Sequence, residues 1–500
     1  MNGIKTHYMK KPFISKSSFI KGLQCYKALY LKKHYPELED PVSEAQQAIF
    51  DAGTDIGQLA TGLFPGGVDL GHYVPKRMFD NVRVTKDHIR QRDTIYEAGF
   101  SQDSLLCFMD ILVPDGDGWR AYEVKGSTSV KDVYLWDAAF QFYVMRQSGV
   151  ELTDLSIIFL NNQYERMGEL DLQQLFTIES VIDRLRELQP EIERQVGQMR
   201  SMLLGRDVPD IDIGPHCSDP YPCSFSGHCW KHIPDYSVFN IARLKQDQKF
   251  ELYRNGIIEI KDVPEGYALS SSQQVQVDCE KNGTEIVSKE EIRAFLENLK
   301  YPLRFLDFET FNPSVPMFDH SRPYQQIPFQ YSMHIQGMPG GDISHEEFLA
   351  QADGDPRLPF IEQLLTDAGN NGDILVYNKA FEQSRLRELA RDFPQYEKAI
   401  HPLLDRIVDL MDVFSKKQLY TPEMHGSYSI KSVLPALVPG FSYERLEIAD
   451  GGTASMAFHA LYRETDIVKI AETRDNLLAY CRMDTLAMVE IMKKMEEKTR

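Results

Sequence analysis

Two short runs of the sequence place acidic side chains where they could hold a metal ion. The first is RFLDFETF, residues 304–311, in which Asp307 and Glu309 lie two residues apart within an apolar run. Alternate residues of a β-strand point to the same face, so the two carboxylates would lie side by side and repel each other. A divalent cation is the simplest partner that removes this repulsion. A solvated acidic face on an edge strand is the alternative for such a pair taken alone.

The second run combines an acid with an acid–lysine pair. Asp110 ends the apolar run CFMD, and Glu123 and Lys125 lie two residues apart in YEVKG, after the turn sequence PDGDG. A hairpin of the two predicted strands would bring Asp110 beside Glu123 and form an oxygen-rich site for Mg²⁺ or Mn²⁺. Lys125 would then offset charge on an attacked phosphate or hold the attacking water. A hairpin with a surface Glu–Lys pair is the alternative.

Further acids that could join Asp307 and Glu309 follow later in the chain. The run VYNKAFEQ offers Glu382 in a predicted helix that follows a strand. The run AYCRMDTLAMV places Tyr480 and Asp484 one helical turn apart, so both project from the same face of a C-terminal helix. Three separate elements would therefore supply one site.

Three of the seven cysteines are clustered. They are Cys217, Cys223 and Cys229 in HCSDPYPCSFSGHCW, while Cys25 lies far upstream in the middle of the predicted helix SKSSFIKGLQCYKALYLKKH. Seven cysteines in a chain of 500 residues do not indicate a disulfide framework. Reduced thiols without a ligand are the alternative to a metal site.

The elements that must position these residues follow from periodicity. Up to about residue 206 the pattern predicts mixed α/β structure, with strands at LLCFMDILV, WRAYEVKGS and LSIIFLN, and helices at YLWDAAFQFYVMRQSG and IESVIDRLRELQPEIERQVGQMRSMLLG. Residues 236–300 predict only short helices. From Tyr301 onward, the order strand, strand, strand-then-helix and closing helix is an α/β layered pattern.

Length, composition and charge indicate a soluble protein of two or three domains. The N-terminus lacks an apolar h-region and no apolar run is long enough to cross a bilayer, which predicts a cytoplasmic protein without a membrane partner. A net charge of −19 disfavours a large nucleic-acid-binding surface. Acidic clusters that bind divalent cations nevertheless attract phosphate, so the charge does not exclude nucleic acid as a partner.

The hairpin residues resemble those of the PD-(D/E)XK nuclease superfamily, in which an Asp and a Glu-x-Lys motif are catalytic. The resemblance implies Asp110, Glu123 and Lys125 as catalytic residues, with metal bound by the two acids. The next helix, which carries Gln141, resembles the Gln-bearing helix of the RecB-like branch, although the tyrosine usual four residues later is absent. Glu97 in IYEAGF is a further candidate acid.

The cysteines resemble the ligands of iron–sulfur nucleases in that branch, including CRISPR-adaptation exonucleases and AddB-type helicase–nucleases. There, one N-terminal and three C-terminal cysteines hold a [4Fe–4S] cluster. The ligands that the resemblance implies are Cys25, Cys217, Cys223 and Cys229. The gap after Cys217 is wider than usual, so His216 and His228 are alternatives to it, and Zn²⁺ is the alternative occupant.

The later acids closely resemble the motifs of the DEDD exonucleases in the DnaQ-like, RNase H-fold superfamily: D-x-E, N-x-x-F-D and Y-x-x-x-D. The run SYSIKSVLPAL, residues 427–437, resembles the segment before the third motif. Glu382 stands where the second motif has Asp, and Asp409 and Asp412 are alternative acids. The catalytic residues that the resemblance implies are Asp307, Glu309, Glu382, Tyr480 and Asp484, with all but Tyr480 binding metal.

The pairing of these modules resembles a bacterial family labelled a domain of unknown function. We predict an α/β protein with a RecB-like PD-(D/E)XK domain and cysteine-ligated cluster over 1–232, a helical spacer over 233–300, and a DnaQ-like DEDDy 3′–5′ exonuclease domain with an RNase H-like fold over 301–500. The expected function is Mg²⁺- or Mn²⁺-dependent hydrolysis of DNA at two sites, in repair or in defence against foreign DNA. The alternatives are a nucleic-acid-binding or scaffold protein with one decayed site, and an exonuclease that acts on RNA.

Overall fold

The computed structural model describes residues 12–71, 78–443 and 446–500. The chain divides into two compact units, Met1–His232 and Ile233–Arg500. Both combine β-sheet with helices, which confirms the mixed α/β class. Over the described ranges, no helix is both long enough and apolar enough to cross a membrane. The N-terminal residues 1–11, on which the prediction about a leader segment depends, lie outside those ranges.

The first unit is built on a seven-stranded sheet. Its strands are β1 (Ile14–Ser15), β2 (Val68–Asp69), β3 (Ile95–Gln102), β4 (Leu105–Asp115), β5 (Gly118–Lys125), β6 (Leu152–Leu160) and β7 (Phe176–Ser180). Its helices are α1 (Lys16–Gln24), α2 (Tyr26–His34), α3 (Glu44–Ala60), α4 (Met78–Gln91), α5 (Asp132–Gln147), α6 (Leu172–Leu175), α7 (Ile182–Leu203) and α8 (Ser226–Cys229). The order is β2-β3-β4-β5-β6-β7, with β1 paired to β4, and the predicted β4–β5 hairpin is present.

The core of the first unit lies between its sheet and three helices. Met109 from β4 and Ile157 from β6 are fully buried with Phe19 of α1, Phe140 of α5 and Ile192 of α7. Burial on this scale fixes α1 and α5 against the sheet, so side chains at their edges have defined positions.

Two helix predictions for the first unit need correction. Cys25 is extended, with φ −162° and ψ 119°, so it separates α1 from α2 instead of lying within one helix. The apolar spacing continues on both sides of Cys25, which is why periodicity predicts a single helix. The long charged helix begins at Ile182 because the residues just before it pair with β6 as strand β7.

The second unit contains a five-stranded sheet and a two-stranded one. Its strands are β8 (Ile286–Val287), β9 (Leu303–Phe311), β10 (Ile327–Gln336), β11 (Ile343–Leu349), β12 (Ile374–Val376), β13 (Ile407–Asp409) and β14 (Leu419–Tyr420). Its helices are α9 (Gln246–Arg254), α10 (Ser271–Asn282), α11 (Lys289–Glu297), α12 (Arg357–Ala368), α13 (Lys379–Asp392), α14 (Glu397–Leu404), α15 (Met411–Ser415), α16 (Ile430–Leu437), α17 (Gly451–Leu461) and α18 (Ile467–Thr499).

The central strand of the five-stranded sheet is β9. The order is β11-β10-β9-β12-β13, with β10 antiparallel to β9 and β12 parallel to it. Residues 233–300, predicted to be a spacer, pack as part of this unit. β8 pairs with β14, and Cys279 and Ile292 lie in the same apolar core as Phe329 of β10.

Candidate metal centres

Four acidic side chains from three elements of the second unit line one cavity of about 220 Å³. β9 supplies two of them, α13 one and α18 one, and Tyr480 of α18 lines the same cavity. We call the four carboxylates the acid cluster: Asp307, Glu309, Glu382 and Asp484. The structure therefore brings together all five residues that the sequence predicts for this site.

Local structure explains how Glu382 reaches the cavity. It lies in the first turn of α13, and Asp409 fixes the start of that helix. The Asp409 carboxylate accepts hydrogen bonds from the backbone N–H groups of Asn378 and Met411 at 3.0 Å and of Lys379 at 2.9 Å. Asn378 has φ 88°, a left-handed conformation that asparagine tolerates better than most residues. Asp409 is thus a structural acid at the end of β13.

One carboxylate oxygen of Glu382 lacks a hydrogen-bond partner in the described structure. Glu382 is 2 % exposed, and the oxygen without a partner is its Oε2. A buried carboxylate oxygen without a partner is destabilising unless a ligand completes it. The other alternative acid, Asp412, does not line the cavity and pairs with Lys416 at 2.9 Å. Of the three acids that the sequence offers for this position, Glu382 is the one that lines the cavity.

Burial and mutual repulsion hold the acid cluster in a state that resists ionisation. Burial, and then the charge of Asp484, raise the pKa values of Asp307 and Glu309 well above their usual range. Burial raises the pKa of Asp484 to about 6 and that of Glu382 to about 8. A divalent cation would reverse this preference, because it stabilises the ionised form of every acid that it contacts. The donor set therefore fits the predicted Mg²⁺ or Mn²⁺.

Sequence reasoning missed a thiol at the acid cluster. The Cys481 thiol donates a long hydrogen bond to an Asp307 carboxylate oxygen at 3.9 Å. The sulfur and one oxygen each from Asp307 and Glu309 lie within 4.8 Å of one another. The only signal in the sequence is that Cys481 follows Tyr480 directly.

A tyrosine and a lysine also contact the acid cluster. Tyr443 donates a hydrogen bond to Oδ1 of Asp484 at 2.6 Å. The ammonium of Lys431 lies 5.3 Å from the ring centroid of Tyr480 and 5.5 Å from that of Tyr443. Lys431 is the lysine of SYSIKSVLPAL, so the motif indicates it, whereas nothing near Tyr443 in the sequence does.

The second candidate centre lies on the sheet of the first unit. The antiparallel pairing of β3, β4 and β5 brings Glu97, Asp110 and Glu123 close together. Tyr96 and Ala98 pair with Ile111 and Met109, Ile111 pairs with Tyr122, and the three acids follow or precede these residues directly. Residues directly opposed in an antiparallel pair share a face of the sheet, so the Asp110 and Glu123 carboxylates lie side by side. One Asp110 oxygen also accepts a hydrogen bond from the Val124 N–H at 2.6 Å.

Two lysines neutralise Glu123. The ammonium groups of Lys125 and Lys16 each donate to its Oε1 at 2.7 Å, and both also pair with Asp137. Gln141 donates to Oε2 at 2.5 Å. Burial alone would raise the pKa of Glu123, but the two lysines lower it to about 2. Lys16 comes from α1, and no sequence pattern links it to the hairpin.

The pKa values of the two neighbouring acids, Asp110 and Glu97, shift in the opposite direction to that of Glu123. Burial, and then the charge of Glu123, raise the pKa of Asp110 to about 8 and that of Glu97 to about 7. One carboxylate is therefore ionised at neutral pH while Asp110 keeps its proton. A metal ion that displaced this proton would have two adjacent carboxylate ligands and Lys125 beside them.

The four predicted cysteine ligands line one small pocket in the first unit, together with His216 but not His228. All four thiols are free. Because the four thiols line one pocket, they form a donor set that fits either a [4Fe–4S] cluster or a tetrahedral Zn²⁺ ion.

The family comparison matches only part of the second unit. The sequence profile of a family described as "Domain of unknown function (DUF2779)" matches residues 304–429, which include Asp307, Glu309 and Glu382 but not Asp484. This result agrees with the resemblance to a domain of unknown function.

Two curated relatives of this chain come from Mycoplasma pneumoniae and Ureaplasma parvum. The "Uncharacterized protein MG366 homolog" of Mycoplasma pneumoniae is 28 % identical over 231 residues, which are 42 % of this chain and 34 % of that protein. "Uncharacterized protein UU173" of Ureaplasma parvum is 28 % identical over 228 residues, 39 % of this chain and 31 % of that protein. The chain thus spans about a third of the length of these relatives.

Proposed function

We propose that this chain is a metal-dependent nuclease whose second unit is a DnaQ-like DEDD exonuclease acting on DNA. The observation that carries the proposal is the convergence of four carboxylates from β9, α13 and α18 on one cavity. Three of them are buried and Asp307 is half-buried, and Glu382 Oε2 has no hydrogen-bond partner among the described residues. The sheet supports an RNase H-like fold, since two of the acids lie on a central strand that pairs with an antiparallel strand on one side and a parallel strand on the other.

The residues of the acid cluster have distinct tasks in this proposal. Divalent ions, when bound, stabilise the charge on the attacking and leaving oxygens of a phosphodiester. Asp307 and Glu309 hold their carboxylates on a rigid strand, and Asp484 is oriented by the hydrogen bond from Tyr443. Tyr480, four residues before Asp484 on α18, lines the cavity, and in this proposal its hydroxyl orients the attacking water.

The first unit is proposed as a second, RecB-like nuclease centre. Asp110 and Glu123 supply the acids, and Lys125 supplies the positive charge that a scissile phosphate requires. The proposed cofactor of the cysteine pocket is a [4Fe–4S] cluster held by Cys25, Cys217, Cys223 and Cys229. Their position around one pocket supports a site with four thiolate ligands, and Zn²⁺ is the alternative occupant.

Digestion of end-labelled DNA in Mn²⁺ tests the two centres together. We expect Asp307→Ala and Lys125→Ala each to remove part of the activity, and the double variant to remove all of it. Asp412→Ala is the matched control, because it deletes a nearby carboxylate that does not line the cavity. Unchanged digestion by the double variant would contradict the proposal. An RNA of the same sequence tests the alternative substrate.

Calorimetric titration with Mn²⁺ tests whether either centre has decayed. A functional acid cluster should bind the ion in the Asp110→Ala variant, which removes a metal ligand of the first centre, and lose binding when Asp307→Ala is added. A chain that binds nucleic acid but no Mn²⁺ would instead be a binding or scaffold protein.

A further inference from the structure

A second cavity of the same unit, of about 600 Å³, adjoins the acid cluster. Tyr377, Asn378 and Ile430 line both cavities, so the two spaces are neighbours. One wall of the larger cavity is formed by residues 239–243 with Lys249, and the other by residues 425–430. We call this cavity the flanking groove. Its first wall belongs to the segment that the sequence predicts to be a spacer.

The charged side chains of the flanking groove are basic. They are Arg243 and Lys249; His425 also lines the groove, and none of the described lining residues is acidic. This composition is unexpected in a chain with 74 acidic and 55 basic residues. Arg243 and Lys249 form no ion pair with any carboxylate in the described parts of the chain. Unpaired cations beside a cluster of acids would attract the phosphates of a substrate.

Aromatic rings lie beside these cations. The guanidinium of Arg243 lies 5.2 Å from the ring centroid of Tyr428 and donates to its hydroxyl at 2.7 Å. The Tyr377 hydroxyl donates to the backbone carbonyl of Tyr428, also at 2.7 Å, and Phe239 lines the same wall as Arg243. Grooves that combine cations with aromatic rings bind single-stranded nucleic acid, because bases stack on the rings while the cations follow the backbone.

The wall that carries Arg243 is held in place by α10. The N–H of Ala242 donates to Oε1 of Gln276 at 2.9 Å, and its carbonyl accepts from Nε2 of Gln273 at 3.0 Å. Both glutamines are buried. Arg243 itself has φ 55°, a backbone conformation that residues other than glycine rarely adopt. Such strain at an exposed arginine persists because the neighbouring peptide is fixed, so the groove is preformed.

The start of α16 adds backbone donors between the two cavities. α16 begins at Ile430, which lines both of them, and the hydroxyl of its N-cap residue Ser429 makes no capping hydrogen bond. The first N–H groups of a helix lack intrahelical partners and bind phosphate readily. A phosphate passing from one cavity to the other would meet them.

We propose that the flanking groove binds the nucleotides of a single strand next to the bond that is cut at the acid cluster. This inference rests on the proposed function of that cluster. The groove has the volume of a small-ligand site, for which about 300–1,000 Å³ is usual. It therefore has room for a few nucleotides of one strand, and we expect it to bind a single strand in preference to a duplex.

Binding of a fluorescent oligothymidylate, measured by anisotropy in Ca²⁺, tests the groove apart from the chemistry. We expect Arg243→Gln/Lys249→Gln to weaken binding about tenfold, because two phosphate contacts are lost. The slope of log Kd against log salt should fall by about 0.7 for each lost contact. The matched control is Lys245→Gln, which removes an exposed lysine two residues from Arg243 that does not line the groove. An oligouridylate and a blunt duplex are the comparison ligands.

Hydrolysis of the p-nitrophenyl ester of thymidine 5′-monophosphate distinguishes the contribution of the groove from that of the acid cluster. The ester contains a single nucleotide, which would occupy the acid cluster without reaching the groove. In Arg243→Gln/Lys249→Gln, the ratio of kcat/KM for the oligonucleotide to kcat/KM for the ester should be about tenfold lower than in the wild type. The proposal is supported if Arg243→Gln/Lys249→Gln binds the oligothymidylate or the oligouridylate more weakly than the wild type does. Binding equal to that of Lys245→Gln, or tighter binding of the duplex, overturns it and leaves the acid cluster unaffected. A wild-type chain that binds single strands but hydrolyses neither substrate would overturn the proposed function instead.

Discussion

The carboxylates of the acid cluster have higher pKa values in the folded chain than in the unfolded chain. Burial raises the pKa of Asp484 to about 6 and that of Glu382 to about 8. The folded state thus binds more protons than the unfolded state between about pH 4 and pH 8. Stability must therefore fall as pH rises through this window, because the folded state has to release protons against repulsion that is absent in the unfolded chain.

This linkage predicts how metal and pH affect thermal unfolding of the second unit. In EDTA, Tm should fall by several degrees between pH 5.5 and pH 8, since about 1 kcal/mol shifts the Tm of a unit of this size by roughly 2–4 °C. With Mg²⁺ or Mn²⁺ the decrease should largely disappear, because the ion replaces the protons. Calorimetric scans at several pH values measure both curves.

The control for this prediction is Glu382→Gln, which removes a titrating group without a large change in volume. Its decrease in Tm with pH should be smaller than that of the wild type. A Tm that is independent of pH in EDTA for both proteins would show that the acid cluster is ionised without metal.

Lys16 leads to a second prediction, for the first unit. Its ammonium bonds to Glu123 and pairs with Asp137, so it supplies positive charge close to where a cation would bind. We expect Lys16→Met to bind Mn²⁺ at least about fivefold more tightly, since displacing a buried ion pair costs on the order of 1 kcal/mol or more. Calorimetry in an Asp307→Ala background isolates this site. Weaker Mn²⁺ binding would instead mean that Lys16 supports the metal ligands.

These residues also show what sequence reasoning can reach. Asp307 and Glu309 are predictable because strand alternation puts them on one face, and Tyr480 and Asp484 because they lie one helical turn apart. Lys16 approaches Glu123 only through packing of α1 against the sheet, across 107 positions of sequence. No local periodicity carries that information.

At the scale of elements, the break between α1 and α2 has a chemical consequence. Extended backbone at Cys25 lets its thiol line the same pocket as the cysteines that follow α7. Periodicity predicts both helical halves correctly but not the one residue that interrupts them, because apolar spacing is preserved across the break. The strands of the β4–β5 hairpin are predictable for the opposite reason, since the turn residues mark the interruption directly.

The break predicts that Cys25 is as important for the proposed cofactor as the clustered cysteines. Chain purified without oxygen should be brown, absorb near 400 nm and contain iron, whereas Cys25→Ala should lose most of the iron and lower the Tm of the first unit. Cys107→Ala is the control, because Cys107 is a buried thiol of the same unit that does not line the pocket. A colourless wild-type chain that contains one zinc would contradict the iron–sulfur proposal.

At the scale of the whole molecule, residues 233–300 have a role that their weak sequence signal does not indicate. Most of their elements are short: helix α11 has nine residues and strand β8 has two. Neither the helical nor the strand periodicity of apolar residues can be recognised reliably over such short segments. Their structure depends on distant partners: β8 pairs with β14, and α11 packs against α18. Stabilisation by such long-range contacts cannot be inferred from a local window of sequence.

This arrangement predicts where the chain can be cut. A fragment of residues 233–500 should unfold cooperatively and bind Mn²⁺, whereas residues 301–500 should aggregate or melt at much lower temperature. The shorter fragment loses Ile292, which is fully buried, and Cys279, and it exposes the apolar core that both help to cover. Removing even one buried aliphatic side chain typically costs about 2–5 kcal/mol. Circular dichroism melts and size-exclusion chromatography compare the fragments, with Ile292→Ala in the longer fragment as the intermediate case. Equal stability of both fragments would contradict this prediction and support the interpretation of residues 233–300 as a spacer. In that case α10, which supports Arg243, would not be required for the fold that carries the acid cluster.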